Sequence, residues 1–182
     1  MNIRNRNRMA LITLLLIFAA PLAIAWWLSA TGWHPQQTRN SGALVDPPRD
    51  ISAVAVILAD GNTLSWRDPE YRWTLLALPG AQCATSCRER LDEALRMRIT
   101  LGKNTDRLRV VYVGAALAAD FIAARAPLLA GRDASGALSA ERAGGEDSLA
   151  LALVDPRGLL ILRYSDGYSA QGLRSDIQRV IY

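Results

Sequence analysis

The sequence contains very few residues suited to acid–base or metal chemistry. Among its 182 residues there is one histidine, His34, and there are two cysteines, Cys83 and Cys87. A serine–histidine–aspartate triad is excluded in practice, because His34 lies in a segment with the composition of a flexible tether. The sequence also lacks a Gly-x-x-x-x-Gly-Lys-Ser/Thr phosphate loop, internal repeats and low-complexity segments. The two cysteines are therefore the leading candidates for any chemistry.

The sequence also has no cluster of positive charge outside its first residues. Only Lys103 is a lysine among the 21 basic residues, and the arginines are spread along the chain. The formal net charge is +4, but Arg4, Arg6 and Arg8 precede the first apolar run and account for most of it. Proteins that bind nucleic acid through charge concentrate basic residues on one surface. We therefore expect no nucleic-acid partner.

The composition is that of one folded domain with a short appendage. Hydrophobic residues make up 51% of the chain and charged residues 21%, which gives more burial capacity than a disordered chain has. The length suits one domain of the usual ~100–200 residues rather than several.

The appendage is an uncharged run of twenty residues, Met9–Leu28. As a helix it is long enough to cross a hydrocarbon core of ~30 Å, and Pro21 does not prevent insertion. The arginines of residues 1–8 place this short tail in the cytoplasm and the rest of the chain outside. The alternative is a cleaved secretory signal, since Ala23-Ile24-Ala25 has the pattern of a cleavage site. Both interpretations export the domain, and the retained anchor is our prediction.

Residues 29–50 are rich in turn-forming and polar residues and show no periodicity, as expected of a linker between an anchor and a domain. His34 lies in this linker, about fifty residues before the cysteines. We expect no metal role for it, because metal ligands are normally fixed by neighbouring contacts that a tether lacks. The folded domain is then residues 51–182.

The hydrophobic pattern of the domain alternates between short β-branched runs and segments of helical periodicity, which predicts a mixed sheet covered by helices on both faces. The predicted strands are a hairpin of Ile51–Ala59 and Thr63–Trp66, a buried strand Arg72–Leu78, Leu108–Val113, and a second hairpin of Leu149–Val154 and Leu159–Tyr164. The predicted helices are residues 88–102 with Gly102 as C-cap, Ala115–Leu129, and Ala170–Ile181, with an exposed loop over residues 130–148.

Cys83 and Cys87 lie between a predicted strand and a predicted helix, four positions apart. In an exported domain, a structural disulfide is one interpretation, but closing so short a loop removes little chain entropy. At a helix N-terminus, the unpaired N–H groups and the helix dipole favour a thiolate, which is a nucleophile and a ligand for soft metals. The position therefore favours a redox or metal-binding pair.

Four features together resemble the Sco/SenC family: the strand WTLLAL, the C-x-x-x-C loop from Cys83 to Cys87, the helix that follows this loop, and the late LVDPRGLLILRY hairpin. The resemblance covers roughly residues 50–182. It implies a membrane-anchored α/β protein with a thioredoxin-like mixed sheet. It also implies Cu(I) delivery to, or thiol reduction of, the binuclear copper site of cytochrome c oxidase, with Cys83 and Cys87 as copper-binding or redox thiols. The implied partner is an oxidase subunit or another assembly factor, and the implied location is the periplasmic side of a bacterial inner membrane.

The sequence departs from the family pattern at two places. Arg88 follows the second cysteine, where the family usually has proline. The third copper ligand of the family, a histidine, would fall at about Asp147, and no histidine occurs after His34. A carboxylate is a hard ligand and a poor substitute for imidazole at Cu(I). The thioredoxin oxidoreductases proper match less well, because they have C-x-x-C and a facing cis-proline, and no proline occurs from Arg132 to Val154.

Two hypotheses follow. The first is an assembly factor of Sco type, a possible thiol–disulfide oxidoreductase in which Cys83 attacks and Cys87 resolves the mixed disulfide. The second is a non-catalytic, Sco-like structural or interaction protein of a membrane complex, whose disulfide stays closed.

Overall fold

The computed structural model describes residues 3–31 and 40–181. The chain divides into two compact units, Met1–Arg39 and Asn40–Tyr182. His34 lies outside the described residues, so the expectation that it has no metal role stays a prediction.

The described residues of the first unit form the long helix α1 (Ile3–Ala30). Within it, Asn5–Ala30 is long and apolar enough to cross a membrane, and its apolar side chains are exposed. The helix continues through Pro21 without a break. The predicted apolar helix is therefore confirmed, and it starts several residues before Met9.

The second unit is built on a mixed sheet of seven strands. The strands are β1 (Ala43–Asp50), β2 (Val56–Leu58), β3 (Trp73–Pro79), β4 (Leu108–Val113), β5 (Leu129–Asp133), β6 (Leu149–Val154) and β7 (Leu159–Tyr164). Their order in the sheet is β1-β7-β6-β3-β4-β5-β2. Central β3 runs parallel to β4 and antiparallel to β6, β4 runs parallel to β5, and the remaining pairs are antiparallel. The helices are α2 (Thr85–Ile99), α3 (Ala119–Ala123) and α4 (Ala170–Val180), with 3-10 turns at Gly102–Arg107 and Ser139–Glu141.

Successive residues of β3 point to opposite faces of the sheet, as the two-residue period requires. Leu75 and Ala77 join a core cluster that includes residues of α2 and α4, such as Leu91 and Ile177. Leu76 and Leu78 join a second cluster. That second face is covered by irregular segments that carry Ile51, Leu64, Trp66 and Leu138, so the prediction of helices on both faces was wrong for this side. The predicted α/β mixed sheet itself is confirmed.

Two strands occupy segments that we expected to be irregular or helical. Residues 43–50, part of the predicted linker 29–50, form β1 at the sheet edge and pair with β7 through an irregular register. Prolines are tolerated in an edge strand, because one side of the strand needs no N–H donors. Residues 129–133, at the end of the predicted helix Ala115–Leu129 and the start of the predicted loop 130–148, form β5 between β4 and β2.

The remaining differences lie at element ends. The predicted hairpin of Ile51–Ala59 and Thr63–Trp66 is reduced to β2 and one isolated bridge from Ile57 to Thr63. Helix α2 begins three residues earlier than predicted and ends at Ile99, with Thr100 as its C-cap in place of Gly102. Gly102 has a φ of +59° and opens the following 3-10 turn. Helix α3 is a single short turn, so most of the predicted helix Ala115–Leu129 is absent.

Candidate redox site at the end of the central strand

The cysteine loop leaves the carboxyl end of β3 and leads into α2, whose first turn contains Cys87. The loop faces the start of β6, because Pro79 of β3 pairs with Leu149 in antiparallel register. Two chain segments distant in sequence, residues 80–87 and 144–148, therefore meet at this end of the sheet.

Cys83 and Cys87 are joined by a disulfide, with an S–S distance of 2.00 Å and a Cα–Cα distance of 5.0 Å. Cys87 is completely buried in the core cluster beneath α2, whereas Cys83 packs at its edge and is partly exposed. The pair is therefore asymmetric, with one sulfur-bearing residue open to a partner and the other enclosed.

The N-terminus of α2 is capped by a residue sixty positions away. Ala84, the N-cap residue, provides no side-chain hydrogen bond to the helix. Instead, Oδ1 of Asp147 accepts hydrogen bonds from the N–H groups of Ala84 at 2.8 Å and Cys87 at 3.1 Å, and Oδ2 accepts one from Ser86 at 2.9 Å. These are N–H groups that a helix N-terminus leaves without partners in its own turn.

These contacts set the charge state of Asp147. Partial burial raises the pKa of its carboxyl, but the backbone N–H groups of Ser86, Cys87 and Ala84 lower it by more, so that the pKa lies below its ordinary value of 3.8. Asp147 is therefore a negative charge at neutral pH, fixed against the dithiol loop.

Backbone hydrogen bonds hold the two segments together. The N–H of Gly80 donates to the carbonyl of Ser148 at 3.0 Å, and the N–H of Gln82 donates to the carbonyl of Glu146 at 2.9 Å. The Gln82 side chain adds a 2.8 Å hydrogen bond to Oε1 of Glu146. A Cβ atom on Gly80 would lie only 1.8 Å from the carbonyl oxygen of Gly145, so this close approach requires glycine.

Arginine and aromatic side chains flank the loop on the α3 side. The Arg88 side chain donates from Nε to the carbonyl of Cys83 at 3.2 Å and lies over the Phe121 ring, 5.0 Å from its centroid. Arg125 stacks on the same ring at 3.5 Å and forms two hydrogen bonds with the Asp92 carboxylate. The position where the family pattern has proline thus carries a guanidinium that contacts the dithiol loop.

A groove of about 600 Å³ opens beside the loop and is strongly charged. Ser86 and Asp147 line it, together with other side chains of α2 and the turn at Asp166-Gly167. Arg90 and Glu93 in this lining are paired with each other at 2.9 Å. The groove therefore suits a polar, charged surface of a partner rather than an apolar ligand.

The core cluster that contains Cys87 also contains a buried tyrosine. Tyr112 of β4 shares the core cluster of Cys87 and is 1% exposed, and its hydroxyl has no hydrogen-bond partner among the described residues. Burial raises the pKa of this phenol above its ordinary value, so it stays protonated. Sequence reasoning missed Tyr112, because its strand reads as an ordinary apolar run.

The residues near the disulfide do not form a three-donor metal site. Within residues 3–31 and 40–181, no group of three or more histidine, cysteine, aspartate or glutamate side chains is placed to hold a metal ion. Asp147 does lie beside the dithiol loop, at the place where counting from Asp155-Pro156 put the family histidine. Its two oxygens, however, are engaged by three backbone N–H groups.

Comparisons with known proteins agree with the fold. Copper-bound yeast Sco1 superposes with a TM-score of 0.56 at 13% identity, covering 79% of this chain and 92% of that chain. Apo Sco1 from Thermus thermophilus superposes with a TM-score of 0.55 at 16% identity, covering 81% of this chain and 99% of that chain. The thioredoxin domain of a thiol-disulfide oxidoreductase from Bacteroides vulgatus superposes with a TM-score of 0.50 at 16% identity, covering 78% of this chain and 97% of that chain. At these identities the likeness shows a shared thioredoxin-like fold.

Among sequences, no curated protein matches the chain. A family model described as "Transmembrane-like, thioredoxin-like, C-terminal domain" matches residues 73–181, from the first residue of β3 to the C-cap residue of α4. The chain therefore belongs to the family of transmembrane-like, thioredoxin-like C-terminal domains.

Proposed function

We propose that this protein is a membrane-anchored thiol–disulfide factor that reduces the copper-site cysteines of a respiratory cytochrome c oxidase through Cys83 and Cys87. The observation that carries the proposal is the asymmetric cysteine pair at the start of α2, with Cys83 partly exposed and Cys87 buried. The partner class comes from the Sco/SenC resemblance of the motifs, and the shared fold is compatible with it.

The reaction begins with the reduced pair. The Cys83 thiolate attacks one sulfur of the partner's disulfide, that S–S bond breaks, and the released partner sulfur takes up a proton. The resulting mixed disulfide joins Cys83 to the partner. The Cys87 sulfur, having lost its proton, then attacks the Cys83 sulfur and expels the second partner thiol. The partner gains two electrons and two protons, and Cys83–Cys87 becomes the disulfide present in the structure.

Each cycle requires a reductant for the Cys83–Cys87 disulfide, and we assign this role to a dithiol protein of the same compartment. The donor would attack Cys83, because only this member of the pair is accessible. A purely structural disulfide is the competing explanation. Its weakness is that a bridge across four positions constrains the unfolded chain little compared with one that closes a long loop.

We further propose that α1 anchors the protein, with residues 1–8 in the cytoplasm and the folded domain in the bacterial periplasm. The support is the apolar span of α1, preceded by three arginines. Since β1 starts at Ala43, the tether of this proposal is shorter than residues 29–50 and ends before that strand.

Delivery of Cu(I) to the oxidase is the second candidate function. After reduction, Cys83 and Cys87 offer two soft thiolate donors, which suit Cu(I). The third donor of a three-ligand site does not fit, because the Asp147 carboxylate is hard and already accepts three N–H hydrogen bonds. Copper would therefore be a cargo bound by two sulfurs. An anaerobic Cu(I) titration of the reduced full chain in detergent tests this candidate. The matched control is the Cys83→Ser/Cys87→Ser double variant, and no difference between the two would reject copper delivery.

The proposed function is tested by incubating the reduced full chain, in detergent, with a peptide that carries the oxidised copper-site cysteine pair of the oxidase. We expect stoichiometric appearance of peptide thiols and of the Cys83–Cys87 disulfide, and loss of both with Cys83→Ser. No reduction of the peptide by the wild-type chain would reject the proposal. A cell that assembles a fully active oxidase with either cysteine replaced would also reject it, and would favour the structural alternative.

A further inference from the structure

The carboxylate of Asp147 occupies the N–H groups that would otherwise stabilise a negative charge on the cysteine sulfurs. A helix N-terminus favours a thiolate because its unpaired N–H groups and positive dipole end point at the sulfur. In this chain, Ala84, Ser86 and Cys87 donate those N–H groups to Asp147 instead. The positive end of α2 is therefore already neutralised before any thiolate forms.

The negative charge of Asp147 also disfavours a thiolate on the cysteine pair. Its Oδ1 accepts from the backbone N–H of Cys87 at 3.1 Å, which places a full negative charge beside the residue whose sulfur must become negative. Like charges at this range repel, and the repulsion is strong where one of them is buried, as Cys87 is. The thiolate form of the reduced pair loses stability, whereas the uncharged disulfide does not.

The other charges near the loop do not cancel this effect. Arg88 contacts the loop through a hydrogen bond to the Cys83 carbonyl, and its side chain is exposed and shared with the Phe121 ring. Arg90 is paired with Glu93. Glu146 is a further negative charge, hydrogen bonded to Gln82. No other described side chain reaches the three N–H groups that Asp147 holds.

A disulfide pair whose reduced form is stabilised is a strong oxidant, and one whose reduced form is destabilised is a strong reductant. We infer that Asp147 lowers the reduction potential of the Cys83–Cys87 pair and thereby makes this protein a donor of electrons to its partner's disulfide. Asp147 is a positioning residue in this scheme, since it acts through the helix N-terminus rather than on the partner. The inference rests on the proposed function and deepens it, because it sets the direction of the thiol chemistry.

The experiment is a redox equilibrium of the full chain in detergent at pH 8 against dithiothreitol buffers, with the wild type and Asp147→Asn compared. Asparagine keeps the size and one acceptor oxygen but removes the charge. We expect the equilibrium constant to shift about tenfold towards the reduced pair in Asp147→Asn, which is ~30 mV for a two-electron couple. Asp147→Glu, which keeps the charge, should stay close to the wild type.

The matched control is Glu146→Gln, which removes a neighbouring charge that does not contact α2. We expect it to shift the constant less than threefold. Equal shifts for Glu146→Gln and Asp147→Asn, or no shift for Asp147→Asn, would overturn the inference. If Asp147→Asn does not fold by circular dichroism, Asp147→Ser provides the same measurement. If the wild-type chain reduces the oxidase peptide but Asp147→Asn does not shift the equilibrium constant, the proposed function stands and the inference fails. If Asp147→Asn shifts the constant but the wild-type chain does not reduce the peptide, the inference stands and the proposed function fails.

Discussion

Cys83 and Cys87 share one disulfide but differ in their access to solvent, because Cys87 lies wholly in the core and Cys83 lies at its edge. Helix α2 produces the difference, since its first turn points Cys87 inwards towards Leu91 and the central strands. We therefore expect a reaction with a large partner to start at Cys83.

The first prediction concerns the order of attack. We expect the reduced Cys87→Ser variant to form a stable mixed disulfide with the oxidised copper-site peptide, because Cys83 attacks and no second thiol resolves the product. The Cys83→Ser variant should form at least tenfold less adduct, since its remaining sulfur is buried. Mass spectrometry of the adducts measures both. Equal adduct yields in the two variants would contradict this order.

The second prediction concerns the close approach of the two site segments. Gly80→Ala places a Cβ against the Gly145 carbonyl oxygen, and the two segments must separate, weakening the hydrogen bonds from Gly80 and Gln82. We expect a loss of ~2 kcal/mol or more in the free energy of unfolding, as for other overpacked sites. Urea unfolding of the full chain in detergent measures it.

The control for this substitution is Gly144→Ala, one residue before Gly145. A Cβ on Gly144 meets no described atom within 4 Å, so its effect should be within ~0.5 kcal/mol. Similar losses in the free energy of unfolding for the two variants would show that the two site segments can separate at little cost. The close approach at Gly80 would then not require glycine.

The strands of this protein differ in how well the local sequence predicts them. β4, β6 and β7 were predicted with their observed ends, because each consists mainly of apolar residues and the turn Asp155-Pro156-Arg157-Gly158 marks the hairpin of β6 and β7. β1 and β5 carry prolines, glycine and charged residues. Their strand conformation comes from pairing with β7, β4 and β2, which the local pattern does not contain.

The candidate site likewise has features that the sequence predicts and features that depend on the fold. The cysteine pair and its place before a helix were visible in the sequence, because both are local features. The cap from Asp147 to Ser86 and Cys87 spans about sixty positions and depends on the register of β3 with β6. The family pattern pointed to position 147, but its N–H hydrogen bonds followed only from the fold.

The third prediction concerns Asp176 of α4, a buried carboxylate that ties the start of the domain to its end. It accepts hydrogen bonds from the N–H groups of Ser41 at 2.8 Å and Gly42 at 3.0 Å, and from the Tyr164 hydroxyl at 3.1 Å. Asp176→Ala leaves the buried Gly42 N–H and Tyr164 hydroxyl, and the part-buried Ser41 N–H, without this acceptor. We expect this to cost ~3 kcal/mol of unfolding free energy. Tyr164→Phe removes one of the bonds and should cost ~1 kcal/mol. Urea unfolding compares them, and a smaller loss for Asp176→Ala than for Tyr164→Phe would refute the role of the carboxylate.

The fourth prediction concerns acid stability and Asp68, whose side chain is 1% exposed. Burial raises the pKa of this carboxyl, but the Glu70 N–H and the guanidinium groups of Arg72 and Arg109 together lower it below its ordinary 3.8. As the pH falls, the unfolded chain is therefore protonated before the folded one. The stabilisation by Asp68 is complete above about pH 5 and is lost as the pH falls through the folded-state pKa.

Asp68→Asn tests this dependence, because it removes the charge and keeps the shape. We expect the variant to be less stable than the wild type by ~3 kcal/mol at pH 7, since two arginines lose their buried partner. The difference should shrink as the pH is lowered below 3.8, the ordinary pKa of this carboxyl, and through the lower pKa of the folded chain. Urea unfolding of both chains across this range measures the difference. A constant difference from pH 7 to about pH 3 would show that Asp68 stabilises the fold through packing rather than through its charge.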